Sequence, residues 1–236
     1  MKVKLLLWLI LGLFSSSFTL AQSPFQNMPQ TQLIQYAEQG NMEAQLYLAA
    51  KYYEGYGVKQ DFEEAAKWYR KAAEQGSMDG QYFLGVMYGE GLGLPHNEEL
   101  SAAWFEKAAK QGDVVAQNAL AGKYEWGLGV EQDYHQAVYW YKQAAHNGNK
   151  QAQFNLGLLH FEGKGVPKDH WTAWAYWRKA AKQNHAKAQF NLGLLYATGL
   201  VGLDKSQAKY YFGLACKNAE TTGCDEYRKL HEQGIK

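Results

Sequence analysis

A small residue followed by glutamine recurs at Ala44-Gln45, Gly80-Gln81, Ala116-Gln117, Ala152-Gln153 and Ala188-Gln189, a spacing of 36 residues four times over. A fixed period of this length marks a repeat architecture, in which no unit buries its apolar face alone and neighbours must stack to close a core. Stacked modules are therefore the first expectation for this chain, and binding of another molecule is the usual use of such a stack.

Within a unit, Gln45, Leu48, Ala49 and Tyr52 follow at spacings of three and four, which puts them on one face of a helix. Their counterparts are Leu84, Gly85 and Tyr88; Leu120, Ala121 and Tyr124; Leu156, Gly157 and His160; and Leu192, Gly193 and Tyr196. The recurring small residue predicts close approach of a neighbouring helix. Turns Gly55-Tyr56-Gly57, Gly91-Leu92-Gly93, Gly127-Leu128-Gly129 and Gly163-Lys164-Gly165 then end the first helix, and the fifth copy, from Gly199, departs from them. Asp61, Asn97, Asp133 and Asp169 stand where a second helix needs an N-cap acceptor, with Glu64 and Gln136 completing capping boxes. The second helices carry Trp68-Tyr69, Trp104-Phe105, Trp140-Tyr141, Tyr176-Trp177 and Tyr211-Phe212, all expected inside.

Together these residues read Ala-x-Ala-Gln-x-x-Leu-Gly-x-x-Tyr-x-x-Gly-x-Gly-Val-x-x-Asp, then Ala-x-x-Trp-Tyr-x-Lys-Ala-Ala-x-Gln-Gly, a pattern that resembles the Sel-like repeat (SLR) family, relatives of tetratricopeptide repeats. The resemblance implies an all-α, right-handed α-solenoid superhelix with five repeats over residues 41–218. Around them the expected organisation is a signal peptide at 1–21, a flexible leader at 22–30, an N-terminal capping helix at 31–40 and a C-terminal capping helix at 219–236. It also implies adaptor or scaffold roles in assembling other proteins, and some exported relatives assist cell-envelope assembly or act as immunity proteins for toxins.

Lys2 and Lys4 precede an apolar run from Leu5 to Phe14, followed by serines and Thr19-Leu20-Ala21, which reads as a secretory peptide cut before Gln22. The run is half of the roughly 20 residues a bilayer span needs, so export to the periplasm, or secretion, is expected without stable membrane insertion. Cys216 and Cys224, the only cysteines, stand with seven residues between them across a loop between helices. An even pair in an exported chain favours a disulfide, and the spacing resembles that of cysteine-rich secreted members of the family. Such a bond would staple the C-terminal helix over the last repeat.

Removing Lys2 and Lys4 leaves 22 basic against 23 acidic residues, a balance that argues against a general nucleic-acid binder. The Gly-x-Gly turns are not followed by Gly-Lys-Ser/Thr, and the seven histidines form no His-Glu-x-x-His pair and no metal spacing with the cysteines. Glu74, Glu90 and Glu162 read as solvated helical carboxylates. No catalytic residue, cofactor or metal is expected, and the chain is read as a non-enzyme.

The expected partner is a protein or peptide, held on the concave side that the first helices line. Columns just off their buried face hold Tyr53, Tyr82, Glu90, Glu125, Trp126, Phe154, Phe161, Glu162 and Phe190. Aromatic anchors ringed by carboxylates suit a peptide or helix, although Phe154 and Phe190 would equally serve to close contacts between adjacent repeats. Trp126 stands out because its column otherwise holds Glu54, Glu90, Glu162 and Thr198. Trp171, where other repeats have Glu63, Glu99 and His135, marks a second contact on the convex side. Two further readings stay open: a peptidoglycan-binding or peptidoglycan-active protein, and a secreted factor acting on a host cell.

Overall fold

The computed structural model describes residues 23–236, so the proposed signal peptide lies outside the described residues. Among the described residues there are twelve helices and no strand. In chain order they are α1 (Gln30–Glu38), α2 (Met42–Glu54), α3 (Phe62–Glu74), α4 (Met78–Glu90), α5 (Glu98–Lys110), α6 (Val114–Trp126), α7 (Tyr134–His146), α8 (Lys150–Glu162), α9 (His170–Lys182), α10 (Ala186–Thr198), α11 (Lys205–Lys217) and α12 (Thr221–Glu232). Each helix packs on its sequence neighbours within two compact units, whose described residues are 23–132 and 133–236, and the architecture is an all-α solenoid.

Helix starts follow the local chemistry. Asp61, Asn97, Asp133, Asp169 and Asp204 accept backbone N–H groups in the first turn of the second helices. The first helices are capped as well, by Asn41, Ser77, Asp113, Asn149 and His185, a column that the sequence pattern did not single out. The expected capping box at Glu64 is only half made. Asp61 accepts from the Glu64 N–H at 3.1 Å, but its own N–H donates to the Tyr52 carbonyl at 2.9 Å, which leaves the Glu64 carboxylate to pair with Lys67.

The recurring glutamine is the buried polar strut of the stack. Gln45 Nε2 donates to the Ala37 carbonyl (2.9 Å) at the end of the preceding helix, while its Oε1 accepts from Gln75 Nε2 (2.7 Å) at the end of the following one. Gln81 repeats this with Ala73 and Gln111, Gln153 with Ala145 and Gln183, and Gln189 with Ala181 and Asn218. A buried amide left without partners costs about 1–3 kcal/mol, so these copies specify both ends of the residue; Gln117 keeps only the donor half, Nε2 bonding the Ala109 carbonyl at 3.2 Å while its buried Oε1 has no partner. At the last junction the column changes chemistry. Cys224 occupies the glutamine position and Cys216 the alanine position, and the two form a disulfide that ties α12 to α11 where the amide bond stood before.

The small-residue column faces a ring rather than a backbone. A Cβ on Gly85 would lie 2.8 Å from Phe105, one on Gly193 2.5 Å from Phe212, and one on Gly157 2.2 Å from the indole nitrogen of Trp177. Of each aromatic pair on the second helices, the second member (Tyr69, Phe105, Tyr141, Trp177, Phe212) is buried throughout. Trp104, Tyr176 and Tyr211 are only half-buried, which corrects the expectation that all ten lie inside. At Gly93 and Gly129 the backbone is left-handed (φ +65° and +71°), and a side chain would strike the backbone at Phe62 or Glu98 of the previous repeat. These turns are thus inter-repeat contacts as well as helix stops. The leader is anchored rather than free at Phe25, which is 7% exposed and packs 6.1 Å from Tyr36 and 6.2 Å from Tyr47.

Candidate functional site

The nine proposed partner-binding residues divide sharply by exposure. Tyr53 is 3% exposed, its ring set edge-on against Phe62 (5.4 Å) and Phe83 (5.8 Å), and burial, followed by Glu54 and Glu90, pushes its phenol up to about 12. Phe154, at 8%, stacks on His185 at 4.6 Å and lends its carbonyl to the Trp177 indole N–H at 3.0 Å. Both belong to the core and neither is free to touch a partner, a correction whose cause is the next repeat lying over the end of each first helix.

Tyr82 is half-buried between Phe83 and Phe105, and burial, then Asp113, pushes its phenol up to about 12. Phe161 packs 5.5 Å from Trp177 and 5.2 Å from His170, and Phe190 packs 5.5 Å from Phe212, each keeping one edge in solvent. Glu125 is half-buried and its carbonyl accepts from Gln132 (2.8 Å). Glu90 is exposed, and Glu162 pairs with Lys164 at 2.7 Å.

Trp126 is different in kind. It ends α6, is 69% exposed, and is followed by the left-handed Gly127 cap and the 43% exposed Leu128. Single exposed apolar side chains are common on protein surfaces, but Trp126 is the most exposed of the large apolar residues among the described residues and has the exposed Leu128 two positions on. Trp171, at the start of α9, is 58% exposed with its ring edge-on to Trp174 at 5.9 Å.

Other chemistry-bearing groups have structural places. His160 is half-buried and stacks on Tyr176 (5.6 Å), and burial, with Lys142 next, holds its imidazole below the usual histidine range. His185 Nδ1 accepts from the Ala188 N–H at 3.2 Å, so its neutral form is the capping form. Burial, then Lys150, holds it low as well. A Ser-x-x-Lys spacing occurs at Ser206 and Lys209. Lys209 Nζ is engaged by the Ile235 carbonyl and lies 5.5 Å from the Tyr227 ring, so the pair is not arranged as nucleophile and base. Among the described residues no group of three or more His, Cys, Asp or Glu could hold a metal ion, and no helix is long and apolar enough to cross a membrane.

Capped helix pairs, a glutamine strut and glycine turns at a 36-residue period define a repeat scaffold whose distinguishing features are its exposed side chains. The Sel1 repeat profile matches residues 43–77, 79–113, 114–149, 150–185 and 186–219, and the chain belongs to the Sel1 repeat family. Proteins of this family serve typically as non-enzymatic scaffolds for protein–protein interaction.

Among solved structures, the chain is similar to a protective antigen of uropathogenic Escherichia coli strains that displays an SLR fold. The two are 35% identical with a TM-score of 0.81, over 86% of this chain and 44% of that one, so the chain spans less than half of the antigen. It is also similar to a Sel1 repeat protein from Oxalobacter formigenes, 33% identical with a TM-score of 0.76, covering 80% of this chain and 78% of that one. A third structure, a Sel1 repeat protein from Klebsiella pneumoniae, shares the fold at 24% identity and a TM-score of 0.52, over 86% of this chain and 99% of that one. No curated protein matches the sequence.

Proposed function

We propose that this chain is an exported, non-enzymatic scaffold that binds a protein or peptide through the exposed ends of its first helices, with Trp126 as the anchor. The observation that carries the reading is the 69% exposure of Trp126 at a position where the other repeats have Glu54, Glu90, Glu162 and Thr198. A buried role would have produced a periodic residue, whereas a lone exposed tryptophan has the character of a contact hot spot. Glu90 contributes charge in the first unit, and in the second unit the exposed edges of Phe161 and Phe190, with Glu162, are candidate contact residues of their own. Tyr53 and Phe154 support these residues from within.

The Cys216–Cys224 bond supports passage through an oxidising compartment, as does the N-terminal sequence, and the periplasm is the compartment we favour. A photo-crosslinking residue in place of the exposed Leu128, beside an intact Trp126, with the captured partner identified by mass spectrometry from an envelope extract, tests the site. The partner should be lost in a Trp126→Ala variant that melts like the wild type. Equal recovery by that folded variant removes Trp126 from the interface.

A further inference from the structure

Residues 170–219 hold seven lysines and arginines and one acidic residue, Asp204, which is occupied as the N-cap of α11. The chain as a whole is nearly neutral, so this stretch of α9 to α11 concentrates its positive charge. Among the described residues none of the seven cations is paired with a carboxylate. Several lie instead beside aromatic rings: Arg178 is 5.0 Å from the Trp174 ring and Lys209 5.5 Å from that of Tyr227.

The rings themselves form a chain of contacts within the second unit. Trp171 meets Trp174, whose indole N–H donates to the Tyr196 hydroxyl at 3.0 Å, and Tyr196 stacks on Tyr211 at 5.9 Å. Tyr211 in turn meets Tyr210 edge-on at 5.2 Å. Beyond Tyr210 the track opens into a groove of about 330 Å³ between α11 and α12, with Tyr210 and Tyr227 exposed by 57% and 38%. Gly213, Leu214 and Cys216 line it beside Lys217.

The groove exists because the last repeat departs from its own pattern. At the position of Gly213 the other repeats carry Arg70, Glu106, Lys142 and Arg178, and at that of Leu214 they carry Lys71, Lys107, Gln143 and Lys179. A long charged side chain has been replaced by none, and its neighbour by an apolar one.

We propose that this face binds an acidic peptide segment, with one aromatic or aliphatic side chain of that segment seated in the groove between Tyr210 and Tyr227 and its carboxylates facing Arg178 and Lys217. Unpaired cations on an interaction surface select a partner of opposite charge, and an aromatic-walled apolar slot supplies the anchor. A glycan fits less well, because the lining holds no carboxylate or carboxamide to satisfy a sugar's ring of hydroxyls, and such groups are costly to bury unpaired. Nothing in this site depends on Trp126.

The test uses the disulfide-intact protein and a fluorescein-labelled dodecapeptide of Asp and Glu with one central Trp, followed by fluorescence anisotropy. Binding should weaken with added salt, and about tenfold when Trp is replaced by Ser in the peptide or when Tyr210→Ala is made in the protein. Gly213→Arg, which restores the side chain of the first and fourth repeats, should abolish it. Tyr210→Ala changes an exposed residue and keeps the test decisive should the arginine variant fold poorly. Tyr56→Ala, at an exposed residue outside the groove, should bind the peptide unchanged. Equal binding of the Trp and Ser peptides, unchanged binding by the folded variants, or binding of polygalacturonate without binding of the peptide would each overturn the proposal.

Discussion

Gly157→Ala tests the packing logic of the repeat most directly. Alanine is the better helix former by about 1 kcal/mol, so on propensity alone the substitution in the middle of α8 should stabilise. The added Cβ, however, would sit 2.2 Å from the Trp177 indole nitrogen and 2.3 Å from its Cδ1. Trp177 is 2% exposed and cannot swing into solvent. Overfilling a packed core costs about 1–3 kcal/mol. Displacing the ring also breaks its 3.0 Å bond to the Phe154 carbonyl, stranding buried groups at about 1–3 kcal/mol.

The net loss is about 1–5 kcal/mol, or roughly 2–20 °C in melting temperature for a chain of this size, read by far-UV circular dichroism. Gly85→Ala should lose less, because its Cβ would meet the Phe105 ring at 2.8 Å and no hydrogen bond is at stake there. The first repeat combines Ala49 with Tyr69 in the same columns, both buried. The double change Gly157→Ala with Trp177→Tyr should accordingly recover part of the loss. A Gly157→Ala protein that melts at or above the wild type would refute the reasoning.

Gln153→Leu should cost about 1–3 kcal/mol by leaving the Ala145 carbonyl and the Gln183 amide short of a partner, and an unshifted urea midpoint would remove the strut role. Replacing both Cys216 and Cys224 by Ser should cost roughly 2–3 kcal/mol by the loop-entropy model. Hydrogen exchange should rise in Thr221–Glu232 while Lys150–Glu162 stays protected, and equal protection of α12 would contradict the staple. Burial lowers the pKa of both His185 and His160, so the unfolded chain takes up protons first as pH falls. Their contribution is whole above the ordinary histidine value, about 6.5, and is lost as pH drops from there through the depressed folded value. Melting temperature should therefore fall between about pH 7.5 and 5. His185→Asn, which supplies the acceptor that Asn41 and Asn149 supply, should reduce that slope, and an unchanged slope would rule out the cap as its source.

Much of the fold was legible because its signals are local. A cap acceptor such as Asp61, a left-handed glycine such as Gly55 and a three-four apolar spacing act within one or two turns of chain, and a 36-residue period multiplies each by the number of repeats. The candidate site was less legible. Tyr53 and Trp126 stand next to each other in adjoining columns at the ends of first helices, and nothing in their immediate sequence separates a 3% exposed ring from a 69% exposed one. Phe62 and Phe83, on the helices that follow, cover Tyr53. The groove beside Tyr210 was likewise invisible as a motif, since its other wall is Tyr227 of the next helix, which packs against Gly213.

Sequence alone determined the all-α repeat, the places where helices begin and end, and the cysteine pair that replaces the last glutamine strut, because hydrogen bonds to nearby backbone and side-chain volume within a helix depend on chain neighbours. Tertiary structure alone decided which aromatic rings meet solvent and where a cavity opens. Exposure is set by the atoms that pack over a residue from other helices, and those come from distant parts of the chain.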